Sequence, residues 1–462
     1  MAGTTKYTQF IALPPESVWP VLADLTRLPE WNPGVTSVRM HSPVALGAKG
    51  DYLPNDTITS KIHARLADSF TVTAFTPNYE LAIAAPEPAG AMTLAWRLVA
   101  RDGGTELSQE LRFSGPSAGV ARQVVAKYFE AGARVAFSRL ARLAGLVPAN
   151  DALSVVVAGG SGALGQQVAA DLVCRGQRVT LLTRGVNAKV PFRQVLWDGR
   201  SVGAWASELR EPGRIAVINL AGKLVDCRPT ERNIAELRSS RVDSTAALVA
   251  AARERATPVD YWIQASTTAI WSDAGETRCT ESTPLPVGDA ALPQMTGVAA
   301  PWEEAFDPSV AKHSTVLRTS IVLDPESPAL RRLVGLTKGG LGGRVGPGDQ
   351  WFSWIHLDDW LAIVRAALGL DPEVSLPDGI LVAATDFPVR NTELMATLRR
   401  LLHRPPALPT PKALLKVGAV ALRTDAALGL TGRHATSEVL PNAGFTFKYP
   451  TLDEALTDLL PH

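Results

Sequence analysis

Residues 153–165 read LSVVVAGGSGALG, an apolar run that breaks into glycines before helical spacing resumes. A short strand that must turn at once into a helix constrains this chain more than any other feature. Glycines in the spacing G-x-x-G-x-x-G serve a turn too tight for a Cβ, a backbone that approaches pyrophosphate, and a helix packed closely on its strand. The unpaired N–H groups at the helix start then face the phosphates. Gly159, Gly160, Ser161, Gly162, Ala163, Leu164 and Gly165 are therefore expected to bind a dinucleotide.

The motif begins near residue 159, so about 150 residues precede it, enough chain for a domain of their own. At least two domains are expected. The 462 residues are 46% hydrophobic with a formal charge of +1, which permits large cores and gives no general attraction to nucleic acid or anionic membranes. No stretch approaches the roughly 18 uninterrupted apolar residues of a membrane span, and the opening MAGTTKYTQF lacks the basic and apolar pattern of a secretory signal. A cytoplasmic location is the expectation. Cys174, Cys227 and Cys279 stand far apart without metal-ligand spacing, which points to three buried thiols rather than a disulfide framework or a zinc site.

From Tyr7 to Leu13 the pattern predicts a strand, from Pro15 to Leu25 a helix opened by proline, and at Trp31-Asn32-Pro33-Gly34 a turn. Segments near 57–66, 69–76, 79–85, 91–100 and 105–113 are rich in Thr, Val, Leu and aromatic residues and predict an antiparallel meander. Apolar residues at helical spacing from Gly119 to Leu143 predict one long helix covering the curved sheet. This order, opened by LPPESVWPVLADLTRLPEWNPGV, resembles the SRPBCC superfamily, the START-like or polyketide-cyclase-like α+β helix-grip fold, over residues 1–146. The resemblance implies an apolar ligand cavity. Trp19, Trp31, Phe75, Trp96, Phe113 and Phe129 are its candidate lining, although each is more simply read as core.

LVPANDA, residues 146–152, is a short link, and beyond it strands and helices alternate. That alternation predicts an α/β Rossmann domain, a doubly wound parallel sheet, over 153–401, with a small C-terminal subdomain over 402–462. Strands are expected at Val179–Thr183, Ile215–Leu220, Tyr261–Ala265 and Thr315–Val322, and helices at 231–256, 300–307 and 357–369. The second strand ends LLTRG, placing Thr183 and Arg184 where an adenosine ribose is read, and no Asp or Glu occurs from Leu181 through Val190. An acidic residue there would bind the ribose 2′-hydroxyl and repel a 2′-phosphate, whereas arginine pairs with that phosphate. NADP(H) is expected rather than NAD(H). Asp198, after the third strand, is expected to border the adenine, and the small residues of Asn219-Leu220-Ala221-Gly222 to let a loop pass the ribose and nicotinamide.

AGGSGALG, LLTRG, INLAG, ELRSSRVDSTAAL, LRTSIVL, GGLGGRVGPGDQWFSWIHLDDW and GFTFKYPTLDEAL, in this order, resemble the atypical short-chain dehydrogenase/reductases of the NAD-dependent epimerase/dehydratase-like family, with their C-terminal domain. The resemblance spans residues 153–458 and implies a reaction class without a named substrate. It also implies a Ser or Thr after a central strand and a Tyr-x-x-x-Lys pair further on, the tyrosinate acting as proton acceptor. QASTTAIWSD places Ser266 or Thr267 where a substrate oxygen would be held. LPVGDAALPQMTGVAAPWE, where the pair should fall, contains neither Tyr nor Lys.

Asp273, Glu281, Glu303 and His356 are the titratable groups available as replacements, with Glu281 and His356 ahead; Glu303 and Glu304 are also read as acidic residues near the start of a helix opened by Pro301. Glycines crowd 335–348 before Trp351, Phe352 and Trp354, predicting a lid over the substrate crevice, or else a set of tight turns. The chain thus reads as an NADP-dependent oxidoreductase or epimerase acting on an apolar small molecule. The alternative is a catalytically degenerate, NADP(H)-responsive binding or sensor protein.

Overall fold

The computed structural model describes residues 3–55, 68–87, 90–115, 132–413, 415 and 425–460. The strand expected near 57–66, the first part of the helix expected from Gly119, and Phe129 lie outside the described residues. By their internal contacts the residues form two compact units, one of Met1–Ala152, Gln166–Arg178 and Leu460–His462, the other of Leu153–Gly165 and Val179–Leu459.

In the first unit, β1 (Gly3–Ile11), β2 (Val35–Met40), β3 (Lys49–Pro54), β4 (Asp68–Thr76), β5 (Glu80–Glu87), β6 (Gly90–Arg101) and β7 (Gly104–Ser114) form an antiparallel sheet in the order β1-β7-β6-β5-β4-β3-β2. Burial alternates along β7, so one face packs against the core. Leu107, Leu111 and Phe113 join Trp31, Trp96, Phe137 and Leu140 there, and the Trp31 and Trp96 rings meet edge to face at 5.9 Å. Phe137 and Leu140 come from the helix Ala133–Leu143. Of the aromatics named for a cavity, Trp19, Trp31, Trp96 and Phe113 are buried in this core, and Phe75 packs against Trp19 at its margin.

The second unit carries β8 (Ser154–Ala158), β9 (Arg178–Thr183), β10 (Arg193–Leu196), β11 (Ile215–Asn219), β12 (Val259–Thr267), β13 (Arg278–Cys279), β14 (Ala311–Thr319), β15 (Ile321–Leu323), β16 (Trp351–Phe352), β17 (Trp354–His356), β18 (Gly379–Ala383), β19 (Val389–Arg390) and β20 (His434–Ala435). The main sheet has the order β10-β9-β8-β11-β12-β14-β18, with parallel pairing. Its central strands are buried almost throughout, as expected of a parallel sheet covered on both faces. Strand order reverses beside β8, so a crevice opens at the carboxyl ends of β8 and β11.

Two local expectations change. The helix expected from 300 runs Thr296–Glu304 with Pro301 inside it, which places Glu303 and Glu304 at its C-terminal end. The glycine-rich segment is a run of pinned turns. Val345 N donates to Asn391 Oδ1 at 2.8 Å and Gly346 N to the Thr410 carbonyl at 2.9 Å, while a Cβ at Gly343 would collide with the Leu408 carbonyl.

Candidate functional site

At the end of β8 the chain turns through Gly159 (φ 75°), where Gly162 N donates to the Gly159 carbonyl at 3.0 Å, and the helix Ala163–Cys174 begins immediately afterwards. The glycines differ in what they serve. A Cβ on Gly159 would stand 2.8 Å from the Leu220 carbonyl carbon, one on Gly160 2.6 Å from Leu181 Cδ2, and one on Gly165 2.5 Å from Gly160 Cα. All three are demanded by packing within the chain. A Cβ on Gly162 would meet only the Gly159 carbonyl oxygen, at 3.3 Å. The bare backbone of Gly162 leaves room outside the protein, next to a helix N-terminus, which suits a bound pyrophosphate.

Arg184 follows β9, is exposed, and has no partner among the described residues. Thr183 Oγ1 is occupied locally, donating to the Gly185 carbonyl at 2.9 Å. Asp198 is likewise committed to its own turn. It accepts from Arg200 N at 2.8 Å, from Ser201 N at 2.9 Å and from the Ser201 hydroxyl, and these donors, led by that hydroxyl, hold its carboxyl down at about 2. Asn219 is fully buried: its amide donates to Thr245 Oγ1 at 2.9 Å and Gln264 Oε1 at 3.0 Å, and its carbonyl oxygen accepts from Ala221 N at 3.1 Å. The side chains of Asp198 and Asn219 therefore shape their loops, while Leu220 and Ala221 lie against the glycine turn through their backbone.

At the ends of β12 and β14, Ser266 stands in register with Arg318. Ser266 Oγ donates to Glu303 Oε1 at 2.5 Å, and Arg318 grips the same carboxylate with Nε at 2.9 Å and Nη2 at 2.8 Å. Trp271 packs under the Arg318 guanidinium at 5.0 Å. The Arg318 side chain is 4% exposed and that of Glu303 14%, so the pair is shielded while keeping an edge open. The helix expected to carry Tyr and Lys instead presents Glu303 to Ser266. Arg318 was missed as a site residue, although a lone arginine inside the apolar run TVLRTSIVL signals a charge that must find a partner.

Other expectations are corrected. Thr267 Oγ1 accepts from Ala269 N at 3.1 Å and caps a short turn. Glu281 accepts from Val382 N at 2.9 Å, Ser437 Oγ at 2.5 Å and Glu438 N at 2.9 Å, so its oxygens fasten β18 to the C-terminal segment. Val382 pairs with Arg318, which pairs with Ser266, leaving Glu281 about two strand spacings, roughly 10 Å, from Ser266. His356 caps the helix Leu357–Ala367, its Nδ1 accepting from Asp358 N at 3.0 Å, and its ring lies on Tyr449 with Nε2 3.3 Å from Asp458. Neither residue is brought to Ser266 as a proton acceptor. Cys174 and Cys279 are buried and Cys227 is only half-buried. No helix among the described residues is long and apolar enough to cross a membrane.

The family described as polyketide cyclase/dehydrase and lipid transport matches residues 3–145, the NAD-dependent epimerase/dehydratase family matches 155–290, and a domain of unknown function, DUF1731, matches 410–459. An epimerase family protein of Mycobacterium bovis is 30% identical over 305 residues, 65% of this chain and 96% of that protein. Bovine epimerase family protein SDR39U1 is 28% identical, over 67% of this chain and all of its own length. The crystal structure of human SDR39U1 with NADPH superposes with a TM-score of 0.56 at 26% identity, covering 66% of this chain and 98% of that one. A nucleoside-diphosphate sugar epimerase from Corynebacterium glutamicum, at 21% identity and a TM-score of 0.58, shares the fold over 99% of this chain and 90% of its own.

Proposed function

The chain belongs to the epimerase family, an atypical short-chain dehydrogenase/reductase following an SRPBCC domain, and from that premise we propose a cytoplasmic NADPH-dependent oxidoreductase or epimerase acting on an apolar small molecule. The observation that carries this reading is the Ser266–Glu303–Arg318 set at the strand ends, in the sheet that also presents the glycine turn. The SDR39U1 structure with NADPH and the exposed Arg184 support the choice of NADP(H). Gly162 and the helix start at Ala163 would hold the pyrophosphate, and Arg184 the 2′-phosphate.

A bound nicotinamide would supply or accept the hydride. Ser266 Oγ would hold the reacting oxygen, passing its own proton to Glu303 as it takes the substrate's proton during oxidation and reversing both transfers during reduction. Arg318 fixes the direction of that carboxylate through two charge-assisted bonds. The full chain should oxidise NADPH with a member of a panel of apolar carbonyl compounds. Ser266→Ala and Glu303→Gln should each lower kcat about a hundredfold, with NADPH affinity by calorimetry unchanged. Wild-type rates in both variants would remove the proton path, and tight NADPH binding without turnover on any compound would leave the binding-protein reading in its place.

A further inference from the structure

Arg241 lies in the middle of the helix Glu231–Arg253, whose position at the strand ends is fixed one turn later by Thr245, bonded to Asn219 and Gln264. Its guanidinium packs over the Trp302 ring at 5.0 Å, and Trp302 precedes Glu303 in the chain. On its other side is Gly222, where a Cβ would stand 3.0 Å from Arg241 Cζ and 3.2 Å from Nε. The missing side chain at 222, read from sequence as clearance for a ligand, makes room for this arginine. Arg241 therefore lies between the loop after β11 and the helix that offers Glu303 to Ser266.

Besides the Trp302 ring, its one hydrogen-bond acceptor among the described residues is the Leu237 carbonyl, which accepts from Nη1 at 3.0 Å; no acceptor among them reaches Nε or Nη2 and no carboxylate among them pairs with it. The contrast with Arg318, which has a carboxylate on two nitrogens, is direct. Part of the Arg241 surface stays exposed, yet burial of the remainder lowers its pKa to about 10 against an opposing pull from Cys227, so the charge is held against a desolvation cost that no carboxylate among the described residues offsets. A charge in that position is explained by a ligand that brings its own counter-ion.

We propose that Arg241 is the counter-ion of an anionic group, a carboxylate or phosphate, on the substrate whose reacting oxygen Ser266 holds. This rests on the hydride-transfer reading above and narrows its substrate class: an apolar body with an acidic head, carrying a carbonyl or carbinol. The same chemistry is present in the phosphates of the cofactor, so the experiment separates the two sources.

The probe is inorganic phosphate, titrated by calorimetry into the full chain already saturated with NADPH. Wild type should bind one equivalent. Arg241→Gln should weaken that binding at least tenfold and Arg241→Lys less, with the NADPH dissociation constant within threefold of wild type in both. Arg241→Gln should also unfold at an equal or higher denaturant concentration, because it removes a largely buried charge that has no paired carboxylate, whereas a purely structural arginine would give a less stable variant. Absence of phosphate binding in wild type, or equal binding in Arg241→Gln, overturns the proposal. Competition between phosphate and NADPH, with matched loss of both in Arg241→Gln, assigns the anion to the cofactor and also overturns it. The readout requires no turnover, so a failure of hydride transfer is seen separately.

Discussion

Alanine placed at Gly159, Gly162 and Gly165 of the β8 turn separates a residue proposed to serve a ligand from two that serve the fold. At Gly165 a Cβ would come within 2.5 Å of Gly160 Cα, so the helix must move off its strand, an overpacking cost of about 1–3 kcal/mol. At Gly159 the left-handed backbone (φ 75°) costs a non-glycine residue about 1–2 kcal/mol, and the 2.8 Å approach to Leu220 adds to that. At Gly162 the single 3.3 Å contact with a carbonyl oxygen opposes a gain of about 0.4–1 kcal/mol from the less flexible unfolded chain, so the net change should be close to zero. With a urea dependence of about 3 kcal/mol/M, Gly165→Ala and Gly159→Ala should lower the unfolding midpoint of this unit by roughly 0.3–1 M, and Gly162→Ala by less than about 0.2 M. Calorimetry should then show Gly162→Ala binding NADPH at least about tenfold more weakly, a loss of about 1.4 kcal/mol. A Gly162→Ala protein that is as unstable as Gly165→Ala, or that binds NADPH like wild type, refutes the assignment of the cradle.

Arg184→Ala should weaken NADPH by about one to two decades through loss of a charge-assisted contact and leave NADH nearly unchanged; equal losses for both would detach Arg184 from the 2′-phosphate. Arg318→Met should cost about 3–5 kcal/mol of stability by stranding Glu303, and Glu303→Leu/Arg318→Met together should cost less than the sum of the single changes; additive losses in urea unfolding would show that the pair is not coupled. His434 stacks on Trp351 at 4.3 Å, and burial first, then the Arg278 and Arg390 charges, lower its pKa against the opposing pull of Glu276. The unfolded state then holds more protons below about pH 6.5, so stability should fall as pH drops through that value, and His434→Phe should flatten the slope between pH 7.5 and 5.5 in urea midpoints.

The sequence was most legible where local pattern and tertiary role coincide. The apolar runs of β8, β11 and β12 are buried on both faces of a parallel sheet, so hydrophobicity alone marks them. β2 and β3 went unread because β2 is an edge strand with most of its residues partly or fully exposed, and Arg39, Lys49 and Pro54 interrupt any alternation. Pro301 suggested a helix start, yet the helix begins five residues earlier without a side-chain cap, leaving no local signal at Thr296. The glycines of 339–348 suggested freedom, but their meaning lies in Leu408, Thr410 and Asn391, partners that are distant in sequence.

The site was legible in its absence more than in its contents. That Tyr and Lys were missing could be read directly, whereas the replacement proposed for them depends on a register, Ser266 opposite Arg318, and on a helix end that turns Glu303 toward both. A tyrosine–lysine pair works by placing a cation near a phenol so that the phenol gives up its proton. Here the hydroxyl belongs to serine, the proton acceptor offered to it is already a carboxylate, and the cation, Arg318, orients that carboxylate. Glu303 and Arg318 cancel each other's formal charge. The positive charge of Arg241 is then left without a paired carboxylate among the described residues, which is why the proposed substrate is one that arrives carrying a negative charge.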